Sequence, residues 1–307
     1  MRVLITGGLG FLGGHVAEHF VKIGAEVVVY DTGNRDSSDH WDFGVSQIIH
    51  GNVIDRDKLV GVMSRFKPSI IVHCAAVAGV EEVSGNPIGV METNFLGTYH
   101  VTDVMNMFTD CKHFVYFSSS EVYGQYSFQD GEHEFVSLGS PEEGRWSYAV
   151  SKFASEHWVT LSCPIKCTIL RPFNIFGPRQ IGDGAIKIFI GKALRNEDIT
   201  IYGNGQQLRS WCYIDDFMDG FKKAFIDEGG IYNIGNPHNV STTEGLANRI
   251  IRMTNSKSKV IFEDHPGVDI QMRVPDITKL HMVSGFSPEV DLDEGLEKTI
   301  EWYRRVL

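Results

Sequence analysis

The chain is poor in the features that mark membrane proteins, nucleic-acid-binding proteins and disulfide-rich secreted proteins. No stretch reaches the roughly 20 consecutive apolar residues that a membrane-spanning helix needs. No basic cluster offsets the net charge of −11, which disfavours nucleic acids and anionic membranes as partners. The five cysteines are odd in number and form no C-x-x-C pair, so we expect free thiols and no metal site. A strand pattern begins almost at once, without a leader, and we expect a cytoplasmic protein.

A glycine-rich turn is the most informative feature that the chain does contain. An apolar strand leads into Gly7, Gly10 and Gly13, and an amphipathic helix follows. Glycines at this spacing permit a tight turn, let the backbone approach a pyrophosphate and let the helix pack closely on the strand. A second strand ends in Asp31, where a carboxylate can bind the ribose hydroxyls of an adenosine. This context predicts NAD rather than NADP, because Asp31 would repel a 2′-phosphate. Arg35 lies close in sequence, and an arginine there could accommodate that phosphate.

Strands and helices alternate through the first half of the chain. We predict strands at 2–6, 26–30, 47–50, 69–74, 113–118 and 166–171, and helices at about 11–23, 55–66, 85–109 and 147–162. The alternation predicts an α/β fold of the Rossmann type, a doubly wound parallel sheet with helices on both faces. After Arg171 the pattern loosens into shorter elements, including a strand near 208–214. We therefore predict a cofactor-binding domain at 1–171 and a smaller C-terminal substrate-binding lobe at 172–307, from which the chain can cross back to the first domain.

The segment 91–109 carries apolar residues around most of its circumference. A stripe this wide exceeds the single buried face of an amphipathic helix. Either the helix is sunk in the core or its second face meets another subunit. We expect a homodimer formed through the helices near 91–109 and 147–162.

A tyrosine and a lysine stand one helical turn apart in the predicted helix 147–162. Tyr148 and Lys152 share a face at this spacing, and a nearby ammonium favours the ionised form of a phenol. Tyr148 is therefore a candidate base, although such a pair can also be a plain surface pair. Ser119 follows a strand and can hydrogen-bond the hydroxyl that Tyr148 deprotonates, and Glu121 is a further acid or base. The same serines could instead only cap a turn.

Together these residues resemble the extended short-chain dehydrogenase/reductases of the nucleotide-sugar epimerase/dehydratase family. The likeness covers nearly the whole chain. It includes the glycine turn, Asp31, His73-Cys74-Ala75-Ala76, Asn94, Ser119 with Tyr148 and Lys152, Arg171-Pro172-Phe173-Asn174-Ile175-Phe176-Gly177-Pro178, Tyr202-Gly203-Asn204-Gly205, Arg209 before Tyr213-Ile214-Asp215-Asp216, and Asn233-Ile234-Gly235-Asn236-Pro237. Gly51-Asn52 departs from the Gly-Asp that the family often carries near the adenine.

The resemblance implies that NAD oxidises carbon 4 of a nucleotide-diphosphate sugar, with a UDP-sugar the first choice. The ketone can then be re-reduced on its other face, lose water from carbon 6, or lose a carboxylate at carbon 6 as carbon dioxide. Ser119-Ser120-Glu121 resembles the Thr-Ser-Glu of UDP-glucuronate decarboxylases and of some 4,6-dehydratases, and Arg145 and Arg273 resemble arginines of the decarboxylases. Val274 stands where the decarboxylases carry a basic residue. A 4-epimerase remains an alternative, and so does a non-catalytic dinucleotide sensor, although sensors commonly lack the tyrosine and lysine.

The resemblance also implies a role for each residue that matches the family motifs. Expected catalytic residues are Ser119, Ser120, Glu121, Tyr148 and Lys152. Expected NAD contacts are Gly7, Gly10, Phe11, Leu12, Gly13, Asp31, Asn52, Val53, Ala75, Ala76, Asn94, Tyr148 and Lys152. Expected substrate contacts are Asn174, Arg209 and Arg273.

Overall fold

The computed structural model describes residues 1–33, 44–226, 228–264 and 267–307, and Arg35 lies outside them. The strands in chain order are β1 (Arg2–Thr6), β2 (Glu26–Asp31), β3 (Gln47–His50), β4 (Ile70–His73), β5 (His113–Phe117), β6 (Tyr126–Asp130), β7 (Lys166–Pro172), β8 (Ile175–Phe176), β9 (Ile199–Tyr202), β10 (Leu208–Ser210), β11 (Cys212–Tyr213), β12 (Gly230–Ile234), β13 (Val240–Thr242), β14 (Val260–Glu263) and β15 (Met272–Pro275).

The helices are α1 (Phe11–Lys22), α2 (Arg56–Phe66), α3 (Val80–Gly85), α4 (Pro87–Met91), α5 (Gly97–Asn106), α6 (Trp146–Ser162), α7 (Ala185–Leu194), α8 (Ile214–Ile226), α9 (Thr243–Thr254), α10 (Thr278–Ser284) and α11 (Leu292–Val306). A π-helical turn, Glu92–Leu96, joins α4 to α5, and a 3-10 turn, Ser120–Tyr123, follows β5. Among the described residues, no helix has both the length and the apolar character to cross a bilayer.

Seven of the described strands form one parallel sheet in the order β12-β7-β5-β4-β1-β2-β3. The chain winds outward from β1 in both directions, which confirms the predicted doubly wound Rossmann-type sheet. Val3, Leu4 and Ile5 of β1 are fully buried, as a central strand covered on both faces requires. Ligands bind such sheets at the carboxyl ends of the strands, where the winding direction reverses.

The sheet also takes a strand from the second half of the chain. The edge strand β12 lies beside β7, with Tyr232 opposite Leu170 and Asn233 opposite Arg171. Tyr232 and Ile234 are buried against the same core as Leu170. The chain therefore returns to the large sheet after it has built part of the smaller one.

A smaller sheet, β13-β10-β15-β6, stands apart from the large one. Its edge strand β6 comes from the first half of the chain and runs parallel to β15. The predicted single strand 208–214 was wrong, because the chain changes partners at Trp211. There β10 pairs with β13 and β15, whereas β11 pairs with β8.

The predicted single helix 85–109 was also wrong. The helical segment begins at Val80 and is interrupted at Asn86, whose side chain accepts a hydrogen bond from the Gly89 amide at 3.0 Å. Pro87 follows as the first residue of α4, a position that tolerates its missing N–H. The π-helical turn then shifts the phase of the helix before α5.

Candidate active site

A cleft of about 730 Å³ opens at the carboxyl ends of β1, β2, β4, β5 and β7. Its walls are the residues that directly follow these strands, together with the first turns of α1 and α6. The cleft thus lies where the strand order reverses, the position at which open parallel sheets bind ligands. It has a glycine end beside β1 and a charged end beside β5.

The glycine end is shaped by backbone that approaches other backbone closely. Gly7 has a φ of 71°, and a Cβ there would lie 2.6 Å from the amide nitrogen of Ala75. A Cβ on Gly13 would overlap the carbonyl oxygen of Gly7. None of the described side chains caps the N-terminus of α1, so its first N–H groups are directed to the cleft. This geometry fits a pyrophosphate held at a helix N-terminus.

Asp31, the last residue of β2, closes the glycine end. Its Oδ2 accepts from the Leu9 amide at 3.0 Å and its Oδ1 accepts from the Gly33 amide at 3.1 Å. A carboxylate retains further lone pairs beyond these two bonds, enough to accept from two ribose hydroxyls. Asn52 also lines the cleft, and its Oδ1 accepts from the Ile54 amide at 3.1 Å. The residues of this end therefore fit the adenosine half of NAD. The carboxylate of Asp31 favours the free ribose hydroxyl of NAD over the 2′-phosphate of NADP.

Asn94 lies outside the lining of the cleft and holds its wall in place. It is buried in the π-helical turn, where its Oδ1 accepts from the Val77 amide at 2.8 Å and its Nδ2 donates to the Val77 carbonyl at 3.0 Å. The amide also donates to Ser151 Oγ of α6 at 3.2 Å. Asn94 thus ties the loop after β4 to the helix that carries Tyr148, and Thr93 faces the cleft instead.

A buried histidine lies under the glycine end. His73 Nδ1 is 2.6 Å from Thr6 Oγ1, and its Nε2 is 3.0 Å from Thr98 Oγ1. Burial lowers the pKa of His73 to about 3, and the nearby Lys152 ammonium acts in the same direction. His73 is therefore neutral at physiological pH and braces β1 against β4 and α5.

Tyr148 and Lys152 meet Ser119 where the two ends of the cleft join. Burial raises the pKa of Tyr148 to about 12, a hydrogen bond with Ser119 opposes the rise, and the charge of Glu121 adds to it. Lys152 Nζ lies 6.0 Å from the centre of the Tyr148 ring and donates to the Phe117 carbonyl at 2.7 Å. The sequence argument expected a lowered phenol pKa. In the structure burial has the largest influence on this pKa and outweighs the hydrogen bond with Ser119.

Ser119 has two roles in this geometry. Its Oγ accepts from the Glu121 amide at 3.2 Å and so caps the 3-10 turn, as the simpler interpretation of the sequence expected. The same side chain reaches Tyr148, so capping and contact with the candidate base coexist. The turn also places Ser120 and Glu121 in the wall of the cleft.

The charged end is built around Glu121, which lies between two arginines. Glu121 Oε2 is 3.0 Å from Nη2 of Arg145, and Glu121 Oε1 is 3.9 Å from Nη2 of Arg273. Arg145 lines the cleft, whereas Arg273 is buried behind Glu121 and donates to the Gly124 carbonyl. Burial lowers the pKa of Arg273 to about 10, and the charge of Glu121 opposes this shift. Two cations thus face one carboxylate at this end of the cleft.

Arg273 and Arg209 lie behind the lining of the cleft. Arg273 Nε and Nη1 have no hydrogen-bond partner among the described residues. Arg209 Nη2 donates to the Ile270 carbonyl at 2.5 Å, and its Nη1 donates to the Leu208 carbonyl at 3.1 Å. Arg209 therefore supports the segment that leads into β15, and Arg273 adds its charge from one layer deeper.

Most of the residues assigned from the sequence are brought together on the cleft. Those that line it are Gly7, Gly10, Phe11, Leu12, Gly13, Asp31, Asn52, Val53, Ala75, Ala76, Ser119, Ser120, Glu121, Tyr148, Lys152 and Asn174. Three do not line it: Asn94, Arg209 and Arg273. Arg145, compared above with an arginine of the decarboxylases but not assigned as a site residue, also lines the cleft. It lies three residues before Tyr148 and so shares its helical face.

Comparison with known proteins places this geometry among related enzymes. Residues 3–235 match the model of the "NAD dependent epimerase/dehydratase family". A UDP-N-acetyl-alpha-D-glucosaminuronate decarboxylase of Bacillus cytotoxicus is 33% identical over 99% of this chain and 98% of its own. A dTDP-glucose 4,6-dehydratase of Salmonella typhimurium is 28% identical over 99% of this chain and 92% of its own.

A solved structure shares the whole fold. The UDP-glucose 4-epimerase of Thermus thermophilus in complex with NAD superposes with a TM-score of 0.87 at 27% identity, over 100% of both chains. Relatives of comparable similarity thus differ in the fate of their substrates, so overall likeness leaves the reaction of this chain to its own site residues.

Proposed function

We propose, from the premise that the chain belongs to the NAD-dependent epimerase/dehydratase family, that it decarboxylates a UDP-hexuronate. NAD is the cofactor of this family, and when bound it supplies the reversible oxidation of an alcohol to a ketone. In our proposal residues 1–171 bind NAD and residues 172–307 mainly bind the nucleotide sugar. The NAD contacts and the catalytic residues are those of the cleft described above, with Arg145 added.

The two arginines that face Glu121 carry the choice of a hexuronate. A carboxylate that leaves water for a closed cleft is costly unless a cation meets it. Arg145 is in the cleft wall, and the buried Arg273 adds a second positive charge with two unpaired nitrogens. A neutral sugar would bring no second carboxylate to these arginines beside Glu121. The relative from Bacillus cytotoxicus carries a uronate in its name, which agrees with this choice.

The residues at the junction of the cleft suit proton transfer at carbon 4. In the proposal Tyr148 takes the proton of the carbon 4 hydroxyl while Ser119 holds the oxygen by a hydrogen bond. Lys152 keeps positive charge next to the ring and fixes the carbonyl of Phe117. Loss of this proton, together with the hydride that bound NAD would accept from carbon 4, would leave a ketone at carbon 4. The carboxylate at carbon 6 would then be that of a β-keto acid.

Carbon dioxide then leaves without a further redox change. The carbon 5–carbon 6 bond breaks, its electron pair enters the ring as an enolate, and a proton restores carbon 5. Ser119 and Tyr148 can stabilise the enolate oxygen, because both lie where the carbon 4 oxygen is held. In the proposal Glu121, which forms an ion pair with Arg145 in the wall of the cleft, delivers the proton to carbon 5.

Mass spectrometry of single incubations tests this proposal. The purified protein is mixed with NAD and, separately, with UDP-glucuronate, UDP-N-acetylglucosaminuronate and UDP-glucose. We expect loss of carbon dioxide from one or both uronates and no product from UDP-glucose. Loss of water from a neutral sugar, or a changed sugar without a change of mass, would contradict decarboxylation.

A 4,6-dehydratase is the second candidate because Glu121 could remove a proton from carbon 5. The variant Glu121→Gln separates the candidates. In a dehydratase it should form a 4-keto sugar and reduced nicotinamide, seen by absorbance, and then stall before water is lost. In the proposed decarboxylase carbon dioxide should still leave, more slowly, because departure of the carboxylate needs no base.

We also propose that two copies associate through α6 and the neighbouring helical segment. Phe95, Ala154, Trp158 and Leu161 line an apolar groove on this face, and Leu161 is 83% exposed. Exposed apolar side chains that adjoin an apolar groove are typical of a protein interface. The variant Leu161→Glu should give a monomer in light scattering, and Met282→Glu, at a residue 78% exposed on α10, is the matched control. A wild type that is already monomeric would contradict the dimer.

A further inference from the structure

A buried ion pair lies beneath the 3-10 turn Ser120–Tyr123. We call this turn the catalytic turn, because it carries Ser120 and Glu121 and is capped by Ser119. Glu156 and Arg171 are each 3% exposed at their side chains and form two hydrogen bonds, Nη2 to Oε2 at 2.6 Å and Nε to Oε1 at 2.9 Å. Glu156 lies one turn after Lys152 in α6, and Arg171 lies near the end of β7. Neither residue lines the cleft, so neither can contact the substrate.

Each end of this ion pair is bonded to the segment that carries the catalytic turn. Ser118 Oγ donates to Glu156 Oε1 at 2.5 Å, one residue before Ser119. Arg171 Nη1 donates to the hydroxyl of Tyr123 at 2.7 Å, at the end of the 3-10 turn. Ser118, two residues before the 3-10 turn, and Tyr123, the last residue within it, are therefore both bonded to the same ion pair.

The hydroxyl of Tyr123 extends the network to the edge strand β12. It donates to Asn233 Oδ1 at 2.9 Å, while Asn233 Nδ2 donates to the carbonyls of Asp130 at 3.2 Å and Asp276 at 3.0 Å. The Asn233 amide donates to Glu132 Oε1 at 2.9 Å. One network thus joins α6, β7, β12, the catalytic turn, the end of β6 and the residue that follows β15.

We propose that the network Glu156–Arg171–Tyr123 is a positioning device that sets Ser119, Ser120 and Glu121 against Tyr148 and Lys152. A charged pair in the core costs the desolvation of two ions, and an apolar pair of similar size would avoid this cost. Stability alone therefore does not account for Glu156 and Arg171. A turn fixed at both ends by charge-assisted hydrogen bonds has little freedom to shift. This inference rests on the proposed function for the identity of the catalytic groups.

Charge supplies a second link between the network and the active site. Burial lowers the pKa of Lys152 to about 8, and the charges of Cys74 and Glu156 oppose this shift. The groups that face Lys152 from the packed elements are Tyr116, Tyr148, Cys74, His73 and Glu156. Loss of the Glu156 charge should therefore move the titration of Lys152 to lower pH.

The variant Tyr123→Phe tests positioning with the smallest possible change. It removes only the hydroxyl and leaves the ring packed against Phe173. We expect kcat to fall roughly 10- to 100-fold, since a displacement of about 1 Å can cost that much. The KM for the nucleotide sugar and the affinity for NAD should change little. Tyr232→Phe, which removes another buried hydroxyl bonded to the Gly229 carbonyl at 3.1 Å, should leave kcat unchanged.

A loss of kcat in Tyr123→Phe no larger than in Tyr232→Phe would overturn positioning. So would a parallel loss of NAD affinity and melting temperature, which would indicate a purely structural role.

The variant Glu156→Gln provides a readout that needs no sugar substrate. Isothermal titration with NAD across the titration range of Lys152 should show an inflection that moves to lower pH in Glu156→Gln and stays in place in Tyr123→Phe. Identical inflections in Glu156→Gln and the wild type would overturn the charge link. If the wild type transforms no nucleotide sugar, the proposed function fails, while the NAD titration still decides whether the network acts on Lys152.

Discussion

The two ends of the cleft differ in composition: backbone forms the glycine end, and charged side chains form the charged end. The glycine end is made by backbone from β1, the start of α1 and the loop after β4, with Asp31 as its fixed charge. The charged end is made by side chains on four separate segments, around Glu121, Arg145, Arg209 and Arg273. The first depends on close approach and is sensitive to added volume, whereas the second depends on charge balance and is sensitive to lost charge.

Tyr148→Phe should have the largest effect, because Tyr148 lies where the two ends meet. The phenol oxygen of Tyr148 accepts the proton of the carbon 4 hydroxyl in our proposal, a role worth roughly 10²–10⁴-fold in rate. NAD affinity, which depends on the glycine end, should stay close to that of the wild type. Steady-state turnover with a UDP-hexuronate and calorimetry with NAD measure the two effects. A variant within about threefold of the wild-type rate, well below that range, would exclude Tyr148 as the base.

Arg145→Met should damage the charged end alone. A hydrogen bond to a charged group is worth about 1.5–3 kcal/mol, so affinity for a uronate should fall by roughly 10- to 150-fold. Affinity for UDP should remain unchanged, because the variant removes no backbone of the cleft. Arg249→Met is the matched control, since its ion pair with Asp293 is exposed. Equal losses for UDP and the uronate would place Arg145 on the diphosphate instead.

Gly13→Ala should damage the glycine end by volume. Its Cβ would overlap the Gly7 carbonyl, and overpacking of this kind costs about 1–3 kcal/mol. We expect a lower free energy of unfolding and weaker NAD binding from the same shift of backbone. At Gly61 in α2 a Cβ meets no atom within 4 Å, so Gly61→Ala should raise the free energy of unfolding by about 0.5–1 kcal/mol. Denaturant titration compares the pair, and equal effects would contradict the role of close approach.

Acid should lower the free energy of unfolding through His73, which lies under the glycine end. This is the smallest of the expected effects. The folded pKa of about 3 lies below the usual value of 6.5, so the unfolded chain binds a proton first as the pH falls. Stability should be complete above pH 6.5 and decline below it. In His73→Gln the decline between roughly pH 7 and pH 5 should be shallower. An unchanged decline, measured by urea titration, would mean that other groups, such as His15 and His113, carry it.

The sequence predicted the large sheet well and the smaller one poorly, for a physical reason. Strands buried on both faces, such as β1 and β4, form continuous apolar runs that stand out from their surroundings. The strands β6, β13 and β15 have only three to five residues and take their partners from distant segments. Their pairing is decided by the packing of the assembled chain, and no local pattern marks it.

The same contrast applies to individual site residues. Gly7, Gly13 and Asp31 could be assigned from spacing, because the turn and the next strand place them whatever the rest of the chain does. Arg273 could not be placed, since its position behind Glu121 depends on the pairing of β15 with β6. Arg145 was noticed from its likeness to an arginine of the decarboxylases, but its ion pair with Glu121 could not be inferred from the sequence.

The sequence by itself determined the parallel sheet, the glycine turn and the tyrosine–lysine pair, because these follow from local periodicity and from spacings within one or two elements. Only the tertiary structure decided how β12 returns to the large sheet, which arginine faces the cleft, and how Glu156 and Arg171 come to lie beneath the catalytic turn. Contacts of this second kind join residues far apart in sequence. Their partners are chosen by burial, by electrostatics in a low-dielectric core and by the need to satisfy every buried charge, and these conditions exist only once the chain has folded.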